Sequence, residues 1–200
     1  RGVIAGGTAA VVAAAAVTAV VVSTSQPPDP PGGTGTTTNP APTDGDTSRW
    51  LREDSDIPEE YRGLIVQAGT YCEQPGLSPA LIAAMLKAES GYNPRLSDPQ
   101  QDEYGIARWT PDVLWHWQPG GLKRPEPTPP FSAELSILSM GRFMCGLGPR
   151  VNDLPGQPAL KLAALYRSGV DPLKRAGGIP ARWRDYTTKV SRYIRDYQPA

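Results

Sequence analysis

The chain has 200 residues with 20 basic and 20 acidic side chains and a formal net charge of zero. That leaves room for one ordinary globular domain and gives no electrostatic reason to expect nucleic acid or an acidic substrate. Gly and Pro make up 21 and 23 residues, near the level of low-complexity chains, but much of this lies ahead of position 49. There Arg1 is the only basic residue and Asp29, Asp44 and Asp46 are the only acids.

Residues 1–23 hold an uncharged run, Val3 to Val22, of Val, Ala, Ile, Gly and Thr. As a helix it would be about 30 Å long, the thickness of a bilayer's hydrocarbon core. It shows no amphipathic period and is followed at once by a polar stretch, so a buried core helix is a poor reading. The expected role is a transmembrane anchor or an export signal. The length favours the anchor, while Val21 and Ser23 also allow a cleavage site before Thr24. Residues 24–48 are rich in Pro, Thr and Gly and contain no aromatic side chain. Such a stretch cannot bury enough apolar surface to offset its chain entropy, and reads as a disordered tether.

From 49 to 200 the pattern changes to short helices with clear punctuation. Asp56 with Glu59 resembles a capping box, and Tyr61, Leu64, Ile65, Ala68 and Cys72 then recur at helical spacing. Ser78 followed by Pro79 starts a second helix, which Gly91 and Pro94 stop. Thr110 and Pro111 open a third toward Trp117, and Gln118 to Pro130 reads as a loop. A fourth covers about Ser132 to Cys145, a fifth Pro158 to Ser168 with Gly169 as stop, and a last Ala181 to Tyr197. In that last helix Tyr186, Val190, Tyr193 and Tyr197 share one stripe. The domain is expected to be mainly α.

Cys72 and Cys145 are the two cysteines, and export makes a disulfide between them the expected state. The single histidine, His116, has no partner at ligand spacing, so neither a metal nor another cofactor is expected. Chemistry concentrates at Glu89. Ile82, Met85, Leu86 and Glu89 fall at i, i+3, i+4 and i+7, so this carboxyl extends an apolar stripe. A carboxyl partly removed from water there has a raised pKa, as a general acid needs, although a helix-end Glu bonding the next loop is an equal reading.

Glu89-Ser90-Gly91-Tyr92-Asn93-Pro94 resembles the E-S-x-[FY]-N-P signature of the lytic transglycosylase SLT family, which is related in fold to goose-type lysozyme. Tyr104 to Pro111 looks like that family's G-[LI]-M-Q-x-x-P block, and Ala163 to Gly169 like its A-x-x-Y-N-x-G block. The likeness runs in motif order over about residues 57–197. It implies a lysozyme-like muramidase domain. By resemblance Glu89 is the catalytic acid and base, Ser90 and Tyr166 orient it, and Ser90, Tyr104, Arg108, Tyr166 and Arg167 meet the glycan.

Two positions depart from the family: Arg108 stands where it has glutamine and Arg167 where it has asparagine. A guanidinium only donates, and carries charge, where an amide both donates and accepts. Arginines beside Glu89 either lower its pKa or recognise a carboxylate on the lactyl group or stem peptide, and an equal reading makes each a rim residue with surface contacts only. Asp98, Asp102 and Glu103 offer a second carboxylate for a hydrolase, but their loop reads as surface acids or turn caps. Trp109, Trp115 and Trp117 read either as sugar-stacking aromatics or as core packing, the commoner use. The seven basic residues between Lys174 and Arg195 form either a solvated face or a surface attracting anionic wall polymers.

The resemblance therefore implies a monomeric, extracytoplasmic lytic transglycosylase. By that resemblance it would act on peptidoglycan glycan strands, and the apolar run of residues 1–23 makes it membrane-anchored or secreted, facing the cell wall, with no nucleic-acid partner. A hydrolytic muramidase is the nearest enzyme alternative, and a non-catalytic peptidoglycan-binding module is the alternative of another class.

Overall fold

The helix Pro79–Ser90 explains most of the architecture, because it is apolar on nearly every side and can only be stable at the centre of other elements. A computed structural model describes residues 47–199. The expected anchor or signal segment, and all but the last two residues of the expected tether, lie outside the described residues. Among the described residues seven α-helices, a two-stranded hairpin and three 3₁₀ turns follow one another. They are α1 (Glu59–Gly69), α2 (Pro79–Ser90), β1 (Ser97–Asp98), β2 (Glu103–Tyr104), α3 (Pro111–Trp117) and α4 (Ala133–Leu147), then α5 (Pro158–Ser168), α6 (Val170–Ala176) and α7 (Arg184–Tyr197). The 3₁₀ turns are Gly121–Lys123, Gly148–Val151 and Ala181–Trp183. Among the described residues no helix is long and apolar enough to cross a membrane.

The Ser78 hydroxyl accepts the Leu81 N–H at 3.1 Å, Pro79 occupies the first position, and Gly91 ends α2 in the left-handed conformation. Nine of its twelve residues are buried. Ile82, Met85 and Leu86 are fully so, each contributing about 2 kcal/mol by leaving water. Helices α1 and α7 pack against α2, and α4 packs against α1. The expected starts at Ser78, Thr110 and Ser132 all stand, each side chain capping its helix.

Close approach of α1 and α4 depends on Gly141, where a Cβ would lie 2.5 Å from the Ala68 carbonyl oxygen. Since that neighbour is backbone, Gly141→Ala must push the two helices apart. It should cost about 2 kcal/mol in denaturant unfolding.

Several sequence expectations are corrected. Asp56 does not cap α1, whose N-cap is Pro58 with no side-chain bond. Asp56 instead accepts from Tyr197 Oη at 2.7 Å and pairs with Lys87, tying the entry of the domain to α2 and α7. Cys72 lies past the end of α1, which stops at Gly69. The hairpin was not expected, being only two residues per strand. Nor was α6, which tolerates Pro172 because the first turn of a helix has no intrahelical use for that N–H. The last helix splits into a 3₁₀ turn and α7. The expected disulfide is present between Cys72 and Cys145, pinning the segment after α1 to α4.

Candidate functional site

Glu89 sits in the last turn of α2, one residue before Ser90 and two before the Gly91 cap, on the stripe of Ile82, Met85 and Leu86. Its side chain is 3% exposed. One oxygen, Oε1, accepts the hydroxyl proton of Tyr186 on α7 at 2.6 Å. The other, Oε2, faces Nη1 of Arg167 on α5 at 3.4 Å. The same Arg167 nitrogen lies 3.0 Å from Oε1 of Glu103 on β2. Arg108 then holds Glu103 Oε2 through Nε at 2.6 Å and Asp98 Oδ2 through Nη2 at 2.9 Å. Acid and base thus alternate from Asp98 to Glu89.

The hairpin accounts for the first half of this row. Asp98 and Glu103 are directly paired across β1 and β2, where like charges repel. Arg108 removes the repulsion by bonding both. To reach back it takes the left-handed conformation, φ 51°, which costs a non-glycine residue on the order of 1 kcal/mol. The turn is closed by Arg108 N–H to the Gly105 carbonyl and by a bridge between Tyr104 and Trp109.

The remaining expected site residues are placed as follows. Ser90 follows Glu89 at the end of α2. Its hydroxyl donates to the Ile106 carbonyl at 2.7 Å and accepts the Asn93 N–H, tying the end of α2 to the turn after β2. The Tyr166 hydroxyl donates to the Ala107 carbonyl, and its ring lies edge-on to Trp109 and Phe143. Tyr104 is half-buried with its ring edge-on to Phe131. Of the two arginines, only Arg167 has an ion-pair contact with Glu89, and both are engaged with carboxylates of the chain itself.

Three contributors went unrecognised in the sequence. Tyr186 stands in the sequence only as one member of the stripe of the last helix, although a hydroxyl on an apolar stripe needs a partner. Glu103 was read as a surface acid, yet its side chain is 14% exposed. Trp183, ahead of α7, lies under the Arg167 guanidinium, 5.4 Å from its ring centroid, and edge-on to Tyr186. Its indole N–H is buried without a hydrogen-bond partner. The other tryptophans favour the packing reading. Trp109 is 2% exposed and donates to the Ser136 carbonyl, Trp117 packs on Phe143, and Trp115 donates to the Arg124 carbonyl. His116 lies on α3 with Nδ1 near the Asp112 carbonyl oxygen, and no acidic, cysteine or histidine group suited to a metal occurs among the described residues.

Burial pushes the Glu89 carboxyl above its ordinary pKa, outweighing the opposing pull of the Arg167 charge and the Tyr186 hydrogen bond. Burial likewise raises Tyr186 and Tyr166 well above the usual phenol value, so both remain hydroxyl donors. The arrangement offers one carboxyl able to hold and release a proton in a nearly dry setting. Glu103 cannot serve as a second free carboxylate, since both of its oxygens are engaged by guanidinium groups.

Burial of Glu89 makes the stability of the domain depend on pH. In acid below the ordinary carboxylate range it is protonated in both folded and unfolded chains and imposes no penalty. As pH rises, the unfolded chain loses its proton first, and stability falls until pH passes the raised folded value. Glu89→Gln should therefore melt higher than the parent near neutral pH, and this advantage should disappear in acid. Thermal unfolding of the two proteins over that range checks it, because contributions such as that of Asp56 are common to both.

Two cavities of about 630 Å³ and 300 Å³ open elsewhere, the first along Trp50, Tyr71 and Leu77, the second along Asp56, Tyr193 and Tyr197. Comparison of the chain with protein-family models, with curated proteins and with solved structures finds no match to any of them.

Proposed function

We propose that the domain is a peptidoglycan lytic transglycosylase that cleaves the bond between N-acetylmuramic acid and N-acetylglucosamine. The observation that carries this reading is Glu89, a carboxyl buried at the end of α2, raised by burial and held by a tyrosine hydroxyl. It stands in the string that resembles the SLT signature. In the proposed reaction Glu89 gives its proton to the glycosidic oxygen as the bond to the muramyl C1 breaks. The carboxylate then takes the proton from the muramyl 6-hydroxyl, whose oxygen bonds to C1. The products are an anhydro-muramyl end and a free N-acetylglucosamine 4-hydroxyl, with no water consumed and Glu89 protonated again.

Hydrolysis by two flanking carboxyl groups is less well supported, because the nearest second acid, Glu103, is held by Arg108 and Arg167. A non-catalytic binding module draws on a different observation, the Arg167 guanidinium beside Glu89 Oε2, which disfavours proton donation. The disulfide and the apolar run of residues 1–23 suit an extracytoplasmic setting, anchored or secreted, with the domain directed at the wall.

Incubation of the purified full chain with cell-wall peptidoglycan, followed by mass spectrometry of the released muropeptides, tests the proposal. Products lighter by one water than reducing-end muropeptides support the transglycosylase. Reducing ends favour the hydrolase, and binding without release favours the module.

A further inference from the structure

Arg167 poses a chemical problem, since a guanidinium beside a general acid favours loss of the acid's proton. The geometry shows how the chain answers it. Nη1 of Arg167 makes two contacts, and the shorter, 3.0 Å, goes to Glu103 rather than to Glu89 at 3.4 Å. Glu103 is fixed for that purpose from its other side by Arg108, itself anchored on Asp98. The Trp183 ring lies against the same guanidinium, its centroid 5.4 Å from Cζ. The charges can be counted: two arginines and the two acids Asp98 and Glu103 cancel when Glu89 carries its proton.

We propose that Glu103 is a positioning residue for the proton on Glu89. It holds Arg167 between two carboxyl groups and completes a charge-balanced set, so that Glu89 has no uncompensated cation to draw its proton away. The inference rests on the general-acid reading of Glu89. The charged and titratable groups around Glu89 are Tyr166 and Arg167 from α5, Tyr186 from α7, Glu103 from β2 and Arg108 from the turn after it. Lys87, on its own helix, is bound to Asp56. Of these groups, Glu103 is the one whose negative charge favours a protonated Glu89, in the direction opposite to Arg167 and Arg108. The departures at Arg108 and Arg167 are then read together: an arginine beside the acid is tolerated because an acid beside the arginine accompanies it.

The test is Glu103→Gln in the full chain, which keeps size and loses charge. Carbon-13 NMR of the side-chain carboxyl groups, with the Glu89 signal identified by its absence in Glu89→Gln, reads the proton directly. The Glu89 midpoint should fall by about one pH unit. The alkaline limb of kcat/KM on peptidoglycan should move down equally, a loss of about tenfold at a pH above that limb. In an Arg167→Asn background the same change should have less than half that effect, because Glu103 acts through Arg167. An unchanged midpoint, or an equal shift in both backgrounds, overturns the proposal. If Glu103→Gln fails to fold, Glu103→Asp, which keeps the charge but retracts it, must shift the midpoint in the same direction or the proposal falls. The NMR titration needs no turnover. A shifted midpoint in a protein inactive on every wall substrate would therefore sink the enzyme reading, whereas an unchanged midpoint in an active protein would sink only the role of Glu103.

Discussion

Glu89→Gln should leave the domain folded and lower muropeptide release by about 100-fold or more, the usual scale for losing a general acid. Glutamine keeps the volume of the side chain and can still meet the Tyr186 hydroxyl, but it has no proton to transfer. Binding to purified glycan should persist, since the substitution changes one buried side chain without changing its volume. Release rates and glycan binding measured on the same preparations check both halves. Equal release by parent and variant would remove Glu89 from the chemistry, and release by neither, with equal binding, would favour the binding module.

The second large effect is on stability. Cys72 and Cys145 are 73 residues apart, and closing a loop of that length in the unfolded chain stabilises the fold by about 4 kcal/mol. Replacing both cysteines by serine should therefore lower the melting temperature by about 10 °C, a large share of the stability of an ordinary domain. Cys72 lies beside the cavity that also holds Trp50 and Tyr71, whose lining does not include Glu89. Activity at low temperature should thus survive while heat and denaturant resistance fall. Alkylation of the folded parent without reductant should leave its intact mass unchanged. Two modified thiols in folded protein would contradict the bond.

Both effects trace to how unevenly the chain announces itself. Helix starts were legible because they are local chemistry. Ser78, Thr110 and Ser132 each bond an N–H three residues on, and Pro79, Pro111 and Pro158 suit a first turn wherever the helix packs. The burial of Glu89 was legible for a related reason, since a helical period of 3.6 puts it in line with Ile82, Met85 and Leu86 regardless of what covers them.

The failures at Asp56 and Tyr186 share one cause, partners distant in the chain. Asp56 and Glu59 had the spacing of a cap, but Lys87 and Tyr197 offered Asp56 a charge and a hydroxyl once α2 and α7 had packed. Tyr186 looked like one more aromatic on a stripe, because its bond to Glu89 spans 97 residues. Glu103 looked solvated because its neighbours Gln100, Gln101 and Asp102 are polar. Only the hairpin's register set it opposite Asp98 and only the fold brought Arg108 and Arg167 to it. The sequence alone thus determined where α2, α3, α4 and α5 begin, that the domain is mainly α, and which carboxyl lies on an apolar face. Tertiary structure decided what surrounds that carboxyl. Its proton depends on the balance of desolvation against charges drawn from α5, α7 and the hairpin, and a Coulomb energy depends on distances through space that no spacing along the chain encodes.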